Sequence, residues 1–459
     1  MAEGTISRRF DRRIFLAASG GALAALMAAG CQQQAPTGEA SKPAAGAPKA
    51  ADGKPAAEQK APAQAAGKAA TLQMWFDIPG PQVEHVKKVN EKFSAENPGI
   101  EVRTTVVSIA EMSTKLATAV AGGAPPDLAY LGGPTLVTNL MAAGKVESLT
   151  KYQKDIATLD WLDPIKKLLA RGDDFYAMPV NSGVLGLYYN ADLYTAAGLA
   201  PDKPPTTWDE LIKNAKAIAN ADQQVWGHYI GTKPIAWSAD QVWIAYLWQA
   251  GGAWLSPDEK QAAFNSEAGV EALKFYVDLV HEHKVTPLKA IDNIVSGNDF
   301  ETGKIGHMQL YPIWVLRAEA MSFSVRTAPM PKHKTSAAPL GMGTIPIFTD
   351  SKNKDAAWAY LSWLMKPENA VFWVSGLGNL PTRPSIRDTQ AWKDHVVAHP
   401  LMQPFIDAQP QAQLAYFGKG AQEVSTEVGQ AIESAVFQRK SPKQALDDAA
   451  KAADAILAR

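Results

Sequence analysis

The strongest constraint on this chain is an alternation that begins near residue 71. The segment Leu72–Phe76, within "TLQMWF", is a short apolar run of strand length. The next stretch, "VEHVKKVNEKFSAEN", spaces Val83, Val86, Val89 and Phe93 along one face of a helix, and "NPG" breaks it. "IEVRTTVV" then alternates as a strand does, "AEMSTKLATAVA" is helical up to Gly122-Gly123, and another strand starts near Leu128. Strand, helix, strand, helix, strand is the order that builds an open parallel sheet with crossover helices, so the fold class is α/β. Further on, "TLVTNLMAAG" reads as a helix ending at Gly144. Phe175–Val180 reads as extended, and "GVLGLYYN" as a strand covered on both faces. Thr207 with Glu210 three residues later forms a capping-box signature. Helices are predicted at about Ala239–Ala250, Ser266–His283, Asp355–Met365 and Val424–Phe437, with a last one near the C-terminus.

At 459 residues the chain exceeds what one hydrophobic core usually holds, which predicts two lobes. The formal net charge is −1 and no basic block occurs, so nucleic acid is not an expected partner.

Residues 1–30 read as an export signal. Arg8-Arg9 and Arg12-Arg13 precede an Ala- and Leu-rich stretch that runs from Ile14 to Gly30, short for a membrane span. "DRRIFLAA" resembles the twin-arginine motif at Arg12, Arg13, Phe15 and Leu16. "AAGC" resembles a lipobox, in which Cys31 is lipidated and becomes the mature N-terminus; Ala28 stands where Leu is usual. Cys31 is the one cysteine of the chain, so no disulfide is expected. Residues 31–70 hold Ala, Pro, Lys, Gln and Gly with almost no large apolar side chain, the composition of a disordered tether.

Several blocks in order resemble family 1 of the extracellular solute-binding proteins, the maltose-binding-protein-like receptors of ABC importers. They are "MWFDIPGPQVEHVKKVNEKFSAENPGIEV", "AVAGGAPPDLAYL", "FYAMPVNSGVLGLYYNADLYTAAGL", "PPTTWDELIKNAKAI", "FETGKIGHMQLYPIW", "SKNKDAAWAYLSWLM" and "LPTRPSI". The resemblance spans Leu72 to the end. It implies a two-lobed periplasmic-binding-protein-like fold of type II, with discontinuous lobes and the ligand in the interlobe cleft. The expected lobes are 71–181 with 329–381, and 182–328 with 382–459. Crossings are expected near Met178–Gly183, Ala328–Pro331 and Leu380–Arg383. The implied partners are a small solute, the transmembrane subunits of an ABC permease and, through Cys31, the membrane. The implied place is the outer face of the cytoplasmic membrane or the periplasm, and a monomer is expected.

A sugar offers C–H faces and hydroxyl edges, so its receptor needs flat aromatic surfaces and planar polar groups. Trp237 and Trp314 match the family's stacking positions. Trp243 and Trp248 lie five apart on one helix, so at least one of them is a core residue. Trp358, Trp363 and Trp373 read as packing residues in helices. Polar candidates are Gln82 and Glu84 after the first strand, and Asn181 with Ser182 at a crossing. Gly132, Gly133, Gly341 and Gly343 could let backbone amides approach a ligand. Arg383 suits bidentate bonds to hydroxyls or an anion, or equally a structural bond in the hinge. Asp127, after two prolines, reads as a turn cap.

No cofactor, metal site or catalytic residue is expected. "HEHK" at His281–Lys284 lacks the second His of a zinc-protease motif, because Val285 holds that place, and it reads as a helix end. No nucleophile elbow or Walker loop occurs. The carboxylates leave open an exported carbohydrate-acting enzyme as the second reading. A third is the same receptor class for another solute, such as a glycerol phosphodiester.

Overall fold

The computed structural model describes residues 69–78, 80–234, 239–291, 297–415, 418 and 420–459. The expected export signal, Cys31 and the expected tether up to residue 68 lie outside the described residues, as does Trp237, whereas Ala70, expected to end the tether, opens the first strand. The predicted alternation is present. Strands β1 (Ala70–Phe76), β2 (Ile100–Val106) and β3 (Leu128–Tyr130) form a parallel sheet in the order β2-β1-β3. Helix α1 (Pro81–Glu96) crosses from β1 to β2 and α2 (Ile109–Ala121) from β2 to β3. Val86, Val89 and Phe93 bury the apolar face of α1, as their spacing requires, and each contributes roughly 1.5–3 kcal/mol. Helix α3 (Pro134–Ala142) follows β3.

Next comes the strand that leaves this lobe, β4 (Met178–Val184), followed by β5 (Gly186–Asn190). The second sheet contains β5, β6 (Trp226–Tyr229), β7 (Ile305–Leu310) and β8 (Val325–Ala328) in the order β8-β5-β7-β6. Its pairs are antiparallel except β6 with β7. Helix α4 (Trp208–Ile218) opens on Thr207, whose hydroxyl accepts from the Glu210 amide. The Glu210 carboxylate returns the bond to Thr206 instead of Thr207, so the box closes one residue early.

A third ribbon joins the lobes. Strand β9 (Ala338–Ile345) runs antiparallel to β4, with Gly343 opposite Asn181 and Gly341 opposite Gly183. At its far end β9 bridges to the first sheet through Leu131 and Thr344, and at its near end Ala338 pairs with Ala412. The return to the first lobe therefore runs along β9, later than the expected crossing at Ala328–Pro331. The loop before β9 is still bonded to the second lobe: the Lys332 amide donates to Thr206, and the Thr335 amide to Gln249.

The expected boundary at 381/382 also shifts. Helices α7 (Lys354–Leu364) and α8 (Pro367–Leu377) cover the first sheet, and the short helices Pro384–Arg387 and Gln390–Ala398 pack on α8. The chain rejoins the second sheet only near Leu401, whose carbonyl accepts from Thr327, and Phe405, which lies against Tyr188.

Helix α5 (Ala239–Gln249) is enclosed by α6 (Glu267–His281), by α9 (Ala421–Val436) and by β9. Both Trp243 and Trp248 are consequently buried, so neither indole of this helix is offered to solvent. Helix α10 (Pro442–Leu457) pairs with α9 and closes the fold. Among the described residues no helix is long and apolar enough to cross a membrane.

Candidate functional site

An open parallel sheet leaves its ligand crevice at the carboxyl ends of its strands. In the first lobe that edge carries Asp77 after β1, and Gly132 and Gly133 after β3. Gly132 donates its amide to Asp77 Oδ2 at 2.8 Å. A β-carbon on Gly132 would lie 3.1 Å from Asp77 Oδ1, so the residue must be small there. The amide thus serves a carboxylate of the protein. Asp77 is 4% exposed, and its Oδ1 has no hydrogen-bond partner. Burial pushes this carboxyl up to about 7, against the pull of the Gly132 amide and its own amide. Gly133 caps α3 in an extended conformation.

Gln82 is half-buried in the first turn of α1, its Oε1 lying over Gly80, whose φ of +88° requires glycine. Glu84, in the same turn, faces out and pairs with Lys87 at 2.6 Å, so it does not join this edge.

The joining ribbon adds the next groups. Asn181 and Tyr130 converge on Gly343: a β-carbon there would stand 2.5 Å from Asn181 Oδ1 and 2.4 Å from the Tyr130 hydroxyl. Gly343 is therefore a space for two polar side chains, and Asn181 Oδ1 is buried without a partner. Gly341 serves packing too. Its β-carbon would meet the Tyr311 ring at 3.0 Å, as that of Gly183 would meet Pro312.

Ser182 points the other way, because neighbours in a strand face opposite sides. It is fully buried, donates to the Pro381 carbonyl at 3.1 Å and accepts from Gln409 at 2.7 Å. Its backbone also pairs with Leu380 in both directions. This residue binds two crossings together and is removed from any solute.

Arg383 is held as well. Its Nε donates to Asp160 at 2.6 Å, and its guanidinium covers Trp161 at 5.6 Å. Burial works to raise the Asp160 carboxyl, but bonds from Ser385 and Arg383 bring it down to about 2. The hinge role is the one its contacts describe.

Trp314 ends the one-turn helix Pro312–Trp314 that follows β7, and its indole is half-buried. The Arg317 guanidinium lies 4.7 Å over the ring, and Arg317 is ion-paired with Glu301. The indole is thus held through a chain of two charged residues.

Asp127 does more than cap a turn. Oδ2 accepts from the Gln73 amide at 2.8 Å, and Oδ1 accepts from Ser351 at 2.5 Å, tying β1 to the segment before α7. Of the tryptophans expected to pack, Trp363 and Trp373 are buried and Trp358 stacks on Tyr152. Asp77 is the candidate at this edge that the sequence reading passed over. The available signal was its place directly after an apolar strand of a parallel sheet.

The family model described as bacterial extracellular solute-binding protein matches residues 82–371. A binding protein of Brucella abortus is 27% identical over 383 residues, covering 82% of this chain and 90% of its own. An ABC transporter solute-binding protein from Thermotoga lettingae, bound with α-D-tagatose, superposes with a TM-score of 0.76 at 24% identity. That alignment covers 85% of this chain and 100% of the other. The cyclic α-maltosyl-1,6-maltose binding protein of Arthrobacter globiformis superposes at 0.74 with 27% identity, over 85% and 99% of the two chains. These neighbours are receptors, not enzymes, and their fold is the two-lobed type II α/β fold described above. With its two lobes, its joining ribbon and a family model matched over more than half its length, the chain belongs to the bacterial extracellular solute-binding proteins, the receptors of ABC importers.

Proposed function

We propose that this protein captures a neutral sugar or oligosaccharide between its lobes and delivers it to the transmembrane subunits of an ABC permease. The observation that carries this reading is a pairing of opposites. One lobe has a buried edge with unpartnered acceptors at Asp77 and, on the ribbon, Asn181. The other has a half-buried indole at Trp314. Acceptors suit hydroxyl hydrogens and an indole suits the C–H face of a pyranose. The ligand named for the Arthrobacter globiformis protein, a cyclic oligosaccharide, is of that chemistry. A phosphodiester would instead want free cations, whereas Arg317, over the Trp314 ring, and the site candidate Arg383 are both ion-paired.

Closure follows from differential affinity. A solute touching both lobes only when they are closed shifts the population toward that state. Trp237, expected at a second stacking position, belongs to this proposal. So does the anchor: a lipid on Cys31, with the segment between it and β1 as tether, would hold a monomeric receptor at the outer membrane face.

A thermal-shift panel of neutral sugars and glycerol phosphodiesters tests the ligand class. Stabilisation by phosphodiesters alone would overturn the sugar reading. Product formation from an oligosaccharide by the purified protein would overturn the receptor reading. A Cys31→Ser variant is expected to leave the membrane fraction, and its retention there would refute the lipid anchor.

A further inference from the structure

We propose that Asp77 is a solute-reading carboxylate whose free Oδ1 accepts a solute hydroxyl, so that solute capture releases a proton and its affinity depends on pH. This inference rests on the receptor function proposed above. The geometry comes first. Asp77 lies at the carboxyl end of β1, where an open parallel sheet receives its ligand. One oxygen is held by Gly132, and the other, almost wholly buried, has no partner. A carboxylate left half-satisfied inside a protein is destabilising, whereas full pairing with backbone or side-chain donors is the usual arrangement. A solute hydroxyl at Oδ1 supplies the missing donor to the charged form.

Among the described residues no cation acts on the Asp77 carboxyl. From β3 the titratable neighbour is Tyr130, a buried phenol whose own ionisation is pushed up, first by burial and then by the Asp77 charge. From α1, His85 is bonded to the Phe372 carbonyl and Glu84 is paired with Lys87. Burial and two backbone amides account for the state of the carboxyl. In the free protein it is half-protonated near neutral pH, at about 7. A hydroxyl donated to it favours the ionised form, so binding must release the proton below that pH.

The test uses the full folded protein and, as probe, the sugar giving the largest thermal shift among glucose, tagatose, maltose and maltotriose. Affinity is measured by tryptophan fluorescence from pH 5 to 8.5. For the natural sequence it should fall by up to about tenfold per pH unit below 7 and level off above it. In Asp77→Asn, which keeps an acceptor for Gly132, the profile should be flat and the affinity at pH 8 at least tenfold weaker. Calorimetry in two buffers of different ionisation enthalpy should show proton release at pH 6 only in the natural protein. A flat profile in the natural protein, or an unchanged slope in Asp77→Asn, would overturn the role of Asp77 while leaving the receptor standing. Failure of all four sugars to bind at any pH would instead overturn the sugar reading, and this inference with it.

Discussion

Two buried side chains, one in each lobe, have their polar atoms met in opposite ways. Beneath the second sheet, His307 has both ring nitrogens in use. Nδ1–H donates to the Gly227 carbonyl at 2.6 Å, and Nε2 accepts from the Tyr194 hydroxyl, also at 2.6 Å. Gln309 Nε2 bonds to the Tyr246 hydroxyl at 2.7 Å and to His228 Nε2 at 3.0 Å in the same interior, while Gln309 Oε1 and His228 Nδ1 have no partner, so His307 is the fully bonded member. In the first lobe Asp77 has one partner and one bare oxygen. Satisfied polar networks fix a core, whereas a costly unsatisfied group at a sheet edge marks a place where something else is meant to bind. His307 holds the fold, and Asp77, at the edge of the first sheet, is the acid proposed to meet the solute.

The largest effect should come from removing the fully bonded His307. His307→Ala takes the donor from Gly227 O and the acceptor from the Tyr194 O–H, which keeps only its bond from Asn214, and leaves a cavity, a loss of about 3 kcal/mol. A thermal melt should show the midpoint falling by several degrees, with no pH between 5 and 8 restoring it. A midpoint within a degree of the natural protein would end the claim that this network is structural.

The pH response of the same lobes should have opposite signs. His307 is pushed down to about 4 by burial, and His228 well below its ordinary value by burial and then by His307. An unfolded histidine takes its proton near 6.5, so this stability is present above 6.5 and is lost as pH falls toward 4. For Asp77 the folded value lies above the unfolded 3.8, so its contribution is full below 3.8 and is lost as pH rises through 7. Asp77→Asn should therefore stabilise the protein by roughly 1–3 kcal/mol at pH 8 and by nothing at pH 4. Melting curves of the two proteins at both pH values check this. A variant less stable at pH 8 would show that the acid is structurally satisfied after all.

The third comparison sets the first lobe's acid against the second lobe's indole. Trp314→Ala should weaken binding of a sugar probe at least tenfold, about 1.4 kcal/mol, with the melting midpoint little changed. The ring is half-buried and followed by a short helix, so its removal opens no closed core. Unchanged affinity by fluorescence titration would take Trp314 out of the site.

Much of the fold was legible in the sequence, and the illegible part has physical causes. Spacing alone gave α1, β2 and α2, because Val86, Val89 and Phe93 recur at the helical period on one face. The cap at Thr207 was legible for the same local reason. Lobe boundaries were not, because they depend on which lobe a loop bonds to, as Lys332 and Thr335 bond to Thr206 and Gln249. Glycines were misread in kind: Gly132 and Gly343 make room for Asp77, Tyr130 and Asn181, which are distant in sequence. Period two, on the other hand, already forbids Asn181 and Ser182 from facing one solute.

Arg383 gives the smallest expected effect and separates hinge from site. It is distant in sequence from Asp160, so no local pattern announces the pair. The Asp160 side chain is 37% exposed, which places the ion pair among those contributing at most about 1 kcal/mol. Asp160→Asn keeps an acceptor for the Ser385 amide and removes the charge that holds Arg383. If Arg383 is a hinge residue, this variant should lose less than about 1 kcal/mol and bind a sugar probe within twofold of the natural protein. Freed from Asp160, an arginine that reached the solute would instead change affinity, above all for an anionic probe such as a glycerol phosphodiester. A tenfold gain for that probe, measured by fluorescence titration, would move Arg383 from the hinge to the site and reopen the phosphodiester reading.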